Sequence, residues 1–259
     1  MNRSDFGSLA ELATYVANRE QHYADTLFNA IYMNAGNLQA WYNEPNKVPT
    51  AWRGKMAPSP KEQTESWDQV GEIVIGGLVY RHFTDWVPIG LPIGSDARFS
   101  SEDSVIHLDV KTHKEGDGDL DRTQDIRPEQ VSADETGSYL LDKVGRLGNT
   151  PPKLPPFYDF GPDLLKVTIS CIAVCVYKVD LRAGFQYLTR IQLFTVPNGI
   201  LRDAGQKDAW PHKYEDCFRP GKDGRLAHRY RAVLPKLKAH ETWRWREISY
   251  KDWGFEVTR

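Results

Sequence analysis

In Val105-Ile106-His107-Leu108-Asp109-Val110-Lys111, apolar and polar residues alternate. Successive side chains of an extended strand face opposite sides. Ile106, Leu108 and Val110 are therefore expected to face a packed core, with His107, Asp109 and Lys111 on the second face. An acid and a lysine two residues apart make a poor face to bury, so that face is open to another purpose. Thirteen residues before Asp109, Ser95-Asp96 follows a Gly-Leu-Pro-Ile-Gly turn. A bent hairpin would bring Asp96 beside Asp109. Two carboxylates and an amine so placed suit metal-dependent hydrolysis of a phosphodiester. Mg²⁺ binds through one or two carboxylates, waters and phosphate oxygens. The backbone carbonyl of Val110 is a further candidate ligand. The metal would polarise the phosphate and help produce hydroxide from water. Lys111 would orient or deprotonate that water, or offset the charge that builds up during in-line attack. Asp-x-Lys alone fits a cross-strand ion pair equally well. The upstream Asp96 is what favours chemistry.

The elements that must position these residues follow from periodicity and punctuation. Ser8-Leu9-Ala10-Glu11 is a capping box. Leu9, Leu12, Val16, Leu27 and Ile31 continue a helical period, with a stop expected at Gly36-Asn37. Residues 44–60, with four prolines, read as loop. A second helix is expected over 61–81, weakened at Gly76-Gly77. Short strands are expected over 87–93 and 97–99, and a strong one over 105–112. Residues 114–160 read as a polar excursion with at most short helices. The strongest strands are 167–179 and 185–196, joined as a hairpin through Gly184. Strands are also expected over 229–234 and 241–250, the latter placing Trp243 and Trp245 on one face. Helices first, then mostly strands, give an α/β fold with a mixed central sheet flanked by helices. The 259 residues suit one domain (1–259), with a catalytic core over about 61–200 and a DNA-reading segment over about 217–234.

Composition excludes several classes. Apolar residues make up 40% and charged residues 26%, ordinary for a globular chain. The apolar run from Val167 to Tyr177 is far short of the roughly 20 residues of a membrane-spanning helix. Asp5, Glu11 and Glu20 interrupt the first twenty residues, so a secretory signal is not expected. Three cysteines make no disulfide scaffold and suggest a reducing, intracellular setting. The net charge of −2 hides an uneven distribution. Residues 219–246 carry nine cations against two acids, whereas 96–135 carry twelve acids against five cations. Solvated faces account for such runs, as do a basic face for a polyanion and an acidic segment for metal.

Asp96 with Asp109-Val110-Lys111 resembles the PD-(D/E)xK nuclease signature. The wider context is similar to the BglI-type type II restriction endonucleases. The blocks that carry this are Arg53-Gly54-Lys55-Met56, Gly71-Glu72, the stretch from Gly90 to Phe99, and Leu108 to Lys111. Downstream follow Asp117/Asp119/Asp121, Glu129-Gln130-Val131-Ser132, Val196-Pro197-Asn198-Gly199 and Phe218-Arg219-Pro220-Gly221-Lys222-Asp223. The resemblance implies a restriction-endonuclease-like core and a Mg²⁺-dependent homodimer in the cytoplasm of a prokaryotic cell. Such an enzyme cuts both strands of double-stranded DNA within an interrupted, GC-rich palindrome. It also implies Asp96 and Asp109 as metal ligands, Lys111 as the catalytic lysine, and Glu72 as a further site residue. Ser95 stands where the motif has proline, and Gly224 where the family carries an acid.

Arg229-Tyr230-Arg231 is expected in a strand, with both arginines to one side. Arginine forks match O6 and N7 of guanine. Lys222 is a second guanine-compatible donor, and Asp223 or Asp117 would accept from cytosine N4. Arg219, Arg225, Lys236 and Lys238 suit phosphate contacts. Asp117 to Asp121 fails as a calcium loop, because Arg122 and Pro128 stand where Gly and Glu are needed. Gly54-Lys55-Met56 is no phosphate loop, so no nucleotide cofactor is expected. Two other readings remain at this stage: a repair or recombination nuclease of the same superfamily, and a non-enzymatic DNA-binding protein.

Overall fold

Ser8 caps helix α1 (Leu9–Met33) in the computed structural model of the chain. Its Oγ accepts from Glu11 N at 3.2 Å, and Glu11 Oε2 accepts from Gly7 N at 2.8 Å. The structure describes residues 5–43, 68–89, 95–116, 122–127, 130, 132, 154–161, 164–180, 185–202, 214–220, 230–251 and 254–258. The apolar stripe of α1, including Leu12, Val16, Leu27 and Ile31, is buried. Each such side chain contributes about 1.5–3 kcal/mol. Gly36-Asn37 does not end the helical region. The break falls at Asn34, whose Nδ2 donates to Ala30 O at 2.9 Å, and α2 (Ala35–Asn43) runs on through Gly36. Buried Ala35 and Leu38 keep α2 on the core. Helix α3 (Asp68–His82) spans Gly76-Gly77 unbroken, because Val74, Ile75, Leu78 and Val79 are buried around it.

The strands are β1 (Val87–Pro88), β2 (Ala97–Ser100), β3 (Ser104–Lys114), β4 (Thr123–Ile126), β5 (Phe157–Asp159), β6 (Leu165–Asp180) and β7 (Phe185–Val196). After a short helix α4 (Gly199–Arg202) come β8 (Phe218–Pro220), β9 (Tyr230–Val233), helix α5 (Leu234–His240), β10 (Trp245–Lys251) and β11 (Gly254–Thr258). The large sheet runs β1-β2-β3-β6-β7-β10-β11, with β5 also paired to β6. Among the described strands only β3 and β6 pair parallel in it, so the fold is mixed α/β with a mostly antiparallel central sheet. A small second sheet runs β4-β9-β8.

Three expectations are corrected. The excursion over 114–160 contains strands β4 and β5, too short to show a period. The strand expected over 229–234 ends at Val233, because Pro235 starts α5 in its first turn, where a missing N–H costs nothing. The strand expected over 241–250 begins only at Trp245. Thr242–Arg244 is a 3₁₀ turn, so Trp243 and Trp245 do not share a strand face.

Candidate active site

Helix α1 fixes the β2–β3 hairpin at its turn. Tyr23 OH donates to Asp103 Oδ1 at 2.7 Å, and Arg19 Nη1 donates to Asp103 Oδ2 at 2.9 Å. The antiparallel pairing then sets Ala97 opposite Leu108, and Ser95-Asp96 leads into β2 at that end. Among the described residues, β3 has no partner strand on that edge beyond this pair. Its Val110 N–H donates instead to Asp96 Oδ2 at 2.6 Å. The N–H and C=O of one extended residue face the same edge. The Val110 carbonyl therefore faces the Asp96 side as well.

Burial on β3 departs from expectation. Ile106, Leu108 and Val110 are buried in the core, but His107 and Asp109 on the second face are buried too, at 1% and 5% exposure. Polar partners close that face. Ser95 Oγ lies 3.0 Å from His107 Nδ1, and Tyr158 OH lies 3.1 Å from Nε2. Arg98 Nε donates to Ser95 Oγ at 3.0 Å. Ser95 thus braces by hydrogen bonds the turn that a proline would brace by its ring. Both His107 nitrogens are occupied. Burial and the nearby Arg98 push its pKa down to about 3, so the ring is a neutral strut.

The acidic pair and the amine converge. Lys111 Nζ lies 2.9 Å from Asp109 Oδ2. Asp109 Oδ1 accepts from Gln130 Nε2 at 2.5 Å. The buried Oδ2 makes no aligned hydrogen bond. Asp96 is solvent-exposed as a residue, but its carboxyl is tucked against the Val110 N–H. Its pKa rises to about 6, chiefly through burial and through the charge of Asp109, with the Val110 N–H and Lys111 pulling the other way. Two crowded carboxylates, one of them ion-paired to Lys111, form an oxygen donor set that fits a hard divalent cation, which would relieve their repulsion. Gly71 lets α3 seat closely on this strand: a Cβ there would lie 2.5 Å from Thr112 Oγ1 and 3.4 Å from Val110 Cγ1. Glu72, half-buried, is the next residue of that helix.

Arg231 lies on β9, with Asp125 of β4 opposite it on one side and Arg219 of β8 on the other. Its Nε is buried without a hydrogen-bond partner. Asp117, Lys222, Asp223, Arg225 and Arg229 lie outside the described residues. The basic run over 219–246 is not one exposed face. Arg244 is fully buried in an ion pair with Glu20, and Arg246 pairs with Asp25. Lys236 pairs with Asp216 at 2.6 Å, and Lys238 sits 4.7 Å from the centre of the Trp245 ring. Asp216, Cys217 and His240 also cluster, but the Asp216 oxygens already accept from Lys236, His240 and Cys217. Burial and Asp216 push the Cys217 thiol up to about 12, where it remains protonated. That cluster therefore reads as a hydrogen-bonded clamp at the base of β8 and α5. Cys171 and Cys175 are buried core thiols.

Sequence reasoning missed the role of Gln130, although its block was conspicuous. Only the fold brings it to Asp109, 21 residues away. Among the described residues, no helix is long and apolar enough to cross a membrane.

Residues 7–248 match the family model described as restriction endonuclease BglI. The type II restriction enzyme BglI of Bacillus subtilis is 27% identical over 242 residues, covering 78% of this chain and 79% of that protein. The crystal structure of the restriction endonuclease BglI bound to its DNA recognition sequence superposes with a TM-score of 0.63 at 23% identity. That match covers 94% of this chain and 98% of the other. Tetrameric restriction endonuclease SfiI bound to cognate DNA superposes with a TM-score of 0.67 at 14% identity, over 97% of this chain and 89% of that one.

Proposed function

The chain belongs to the BglI restriction endonuclease family, as a type II enzyme and hydrolase, and from that premise we propose that it makes Mg²⁺-dependent double-strand cuts in DNA at an interrupted, GC-rich palindrome. The observation that carries the reading is the meeting of Asp96, Asp109 and Lys111: two carboxylates close enough to repel, with the lysine ammonium 2.9 Å from one of them. Asp96, Asp109 and the Val110 carbonyl would hold the cation, which would supply Lewis-acid polarisation of the phosphate and a lowered pKa for attacking water. Lys111, anchored on Asp109, orients the attacking water and offsets negative charge on the phosphate in the transition state. Glu72, on the helix seated against β3, supports the site from its other side.

Arg231, with Arg229, Lys222 and Asp223 in the connection beside it, reads base edges in the major groove. Asp117 is a second candidate acceptor for cytosine N4. Arg219 and Arg225 hold phosphates. A two-fold symmetric site calls for a two-fold symmetric protein, so the working form is a homodimer in the cytoplasm of a prokaryotic cell.

Digesting long unmethylated DNA with Mg²⁺ tests the reading. Discrete fragments are expected, and their mapped ends give the site, spacer and cut position. A smear, or preference for branched DNA, would make the chain a less specific nuclease. Binding without cutting would remove the catalytic assignment. For Arg231→Ala, loss of sequence preference is expected, and an unchanged fragment pattern would take β9 out of base reading.

A further inference from the structure

Gln130 links Asp109 to Arg127, the residue that follows β4 of the small sheet. Its Nε2 donates to Asp109 Oδ1 at 2.5 Å, and its Oε1 accepts from Arg127 N at 2.8 Å. Its own backbone N–H donates back to Arg127 O at 3.0 Å. Arg127 directly follows β4, and β4 is paired along its whole length to β9, with Asp125 opposite Arg231. On the far side, Ser132 Oγ accepts from Gly199 N at 2.7 Å, at the start of α4.

We infer that Gln130 is a positioning residue through which the small sheet sets the orientation of the Asp109 carboxylate, so that correct seating of β9 on DNA is converted into cleavage competence. This rests on the proposed function for the roles of Asp109 and β9. The chemistry of the amide makes the link directional. A backbone N–H only donates, so Arg127 fixes which end of the amide is oxygen. The NH₂ end must then face Asp109, which accepts. Holding Oδ1 leaves Oδ2 as the oxygen that faces Lys111 and lacks an aligned partner. The amide thus selects which carboxylate oxygen is available at the site. A displacement of β9 passes to β4 through their ladder, to Arg127 by the chain, and to the Gln130 amide by one hydrogen bond. Partners of this kind behind a metal ligand typically change affinity or activity on the order of ten- to a hundredfold. Here that factor is spent on discrimination: a mis-seated sheet leaves Asp109 misaligned, and the DNA stays bound but uncut.

The test compares two duplexes, one carrying the mapped cleavage site and one differing by a single G·C pair. Gln130→Met keeps the volume and loses both hydrogen bonds. Gln130→Glu keeps the acceptor for Arg127 and loses the donor to Asp109. Both are measured as the full-length protein, in single-turnover cleavage with Mg²⁺ and in binding with Ca²⁺. The expected result is unchanged binding of the correct duplex, cleavage of it slowed on the order of ten- to a hundredfold, and little change on the altered duplex. The ratio of the two rates then collapses. A purely structural or purely metal-holding role slows both duplexes by one factor, and that outcome overturns the inference. Complete loss of cleavage, or loss of binding, in both variants overturns it too. If Gln130→Met melts well below the wild type, Gln130→Glu carries the test alone. A wild-type protein that cuts no discrete site fails a separate arm, and it removes the proposed function first.

Discussion

Among the described residues, two buried carboxylate–cation pairs, Glu20–Arg244 and Asp109–Lys111, are built differently. Glu20 on α1 and Arg244 before β10 are both completely buried. Glu20 Oε1 accepts from Asn198 N at 2.5 Å, and Oε2 accepts from Arg244 Nη2 at 2.8 Å. Arg244 Nε donates to Glu241 Oε2 at 2.7 Å, and the guanidinium sits against Tyr214 and Trp243. Asp109 and Lys111 are also close, yet Asp109 keeps one oxygen without an aligned bond and has a second carboxylate beside it. At the first pair the carboxylate is saturated, and its work is to pin α1 to the segment before β10. At the second the carboxylate is crowded by Asp96, and under the proposed function that crowding is what a bound cation would relieve. What differs is the neighbour: hydrogen-bond donors face both oxygens of Glu20, whereas a second carboxylate stands beside Asp109.

The largest test of that contrast removes the site pair. Asp109→Asn and Lys111→Ala should slow DNA cleavage on the order of a thousandfold or more. They should leave melting temperature and binding in Ca²⁺ close to the wild type. Persistent cleavage would reassign the site. The structural pair should respond in the opposite sense. Arg244→Ala strands the Glu20 carboxylate in the core and should cost about 3–5 kcal/mol in urea unfolding. Activity per folded molecule should be retained. Replacing both by Glu20→Gln and Arg244→Met should cost less than the single change, because no buried charge is left unpaired.

A smaller effect comes from pH. Without metal, Asp96 holds its proton up to about 6, above the usual carboxylate range, chiefly through burial and then through Asp109. A raised acid contributes stability at low pH that fades as pH rises through about 6. Divalent cations need the deprotonated pair, so their affinity runs the other way. Stabilisation by Ca²⁺ in thermal melts should grow as pH rises through about 6 and should flatten in Asp96→Asn. An unchanged pH profile in that variant would separate Asp96 from the cation. The smallest effect belongs to an exposed pair. Lys236→Ala breaks its contact with Asp216 and should cost less than about 1 kcal/mol in the same unfolding assay.

Much of the fold was written locally. The capping box at Ser8, the alternation along β3 and the long hairpin of β6 and β7 are short-range patterns, and they stand where the sequence puts them. What failed was also local in origin. Gly36-Asn37 carries a stop signal that burial of Ala35 and Leu38 overrides. β4 and β5 are three or four residues long and hold together only by pairing with distant strands. Arg244 and Arg246 look like members of a basic face when counted along the chain, yet Glu20 and Asp25 draw them inward. The position of Glu20 on the helical stripe with Val16, Ala24 and Leu27 was the available hint that an acid lay on a buried face.

For the site, the residue types and the two-residue spacing of Asp109 and Lys111 were fixed by sequence, because the period of a strand puts such neighbours on one face. The chain alone also determined that an acid follows a turn thirteen residues earlier. Tertiary structure decided that Asp96 reaches the Val110 N–H, that Gln130 holds one oxygen of Asp109, and that polar partners bury the second face of β3. The reason is range. Period and capping act over a few residues, whereas these contacts join residues 14 and 21 positions apart, and only the closed sheet brings them within hydrogen-bonding distance.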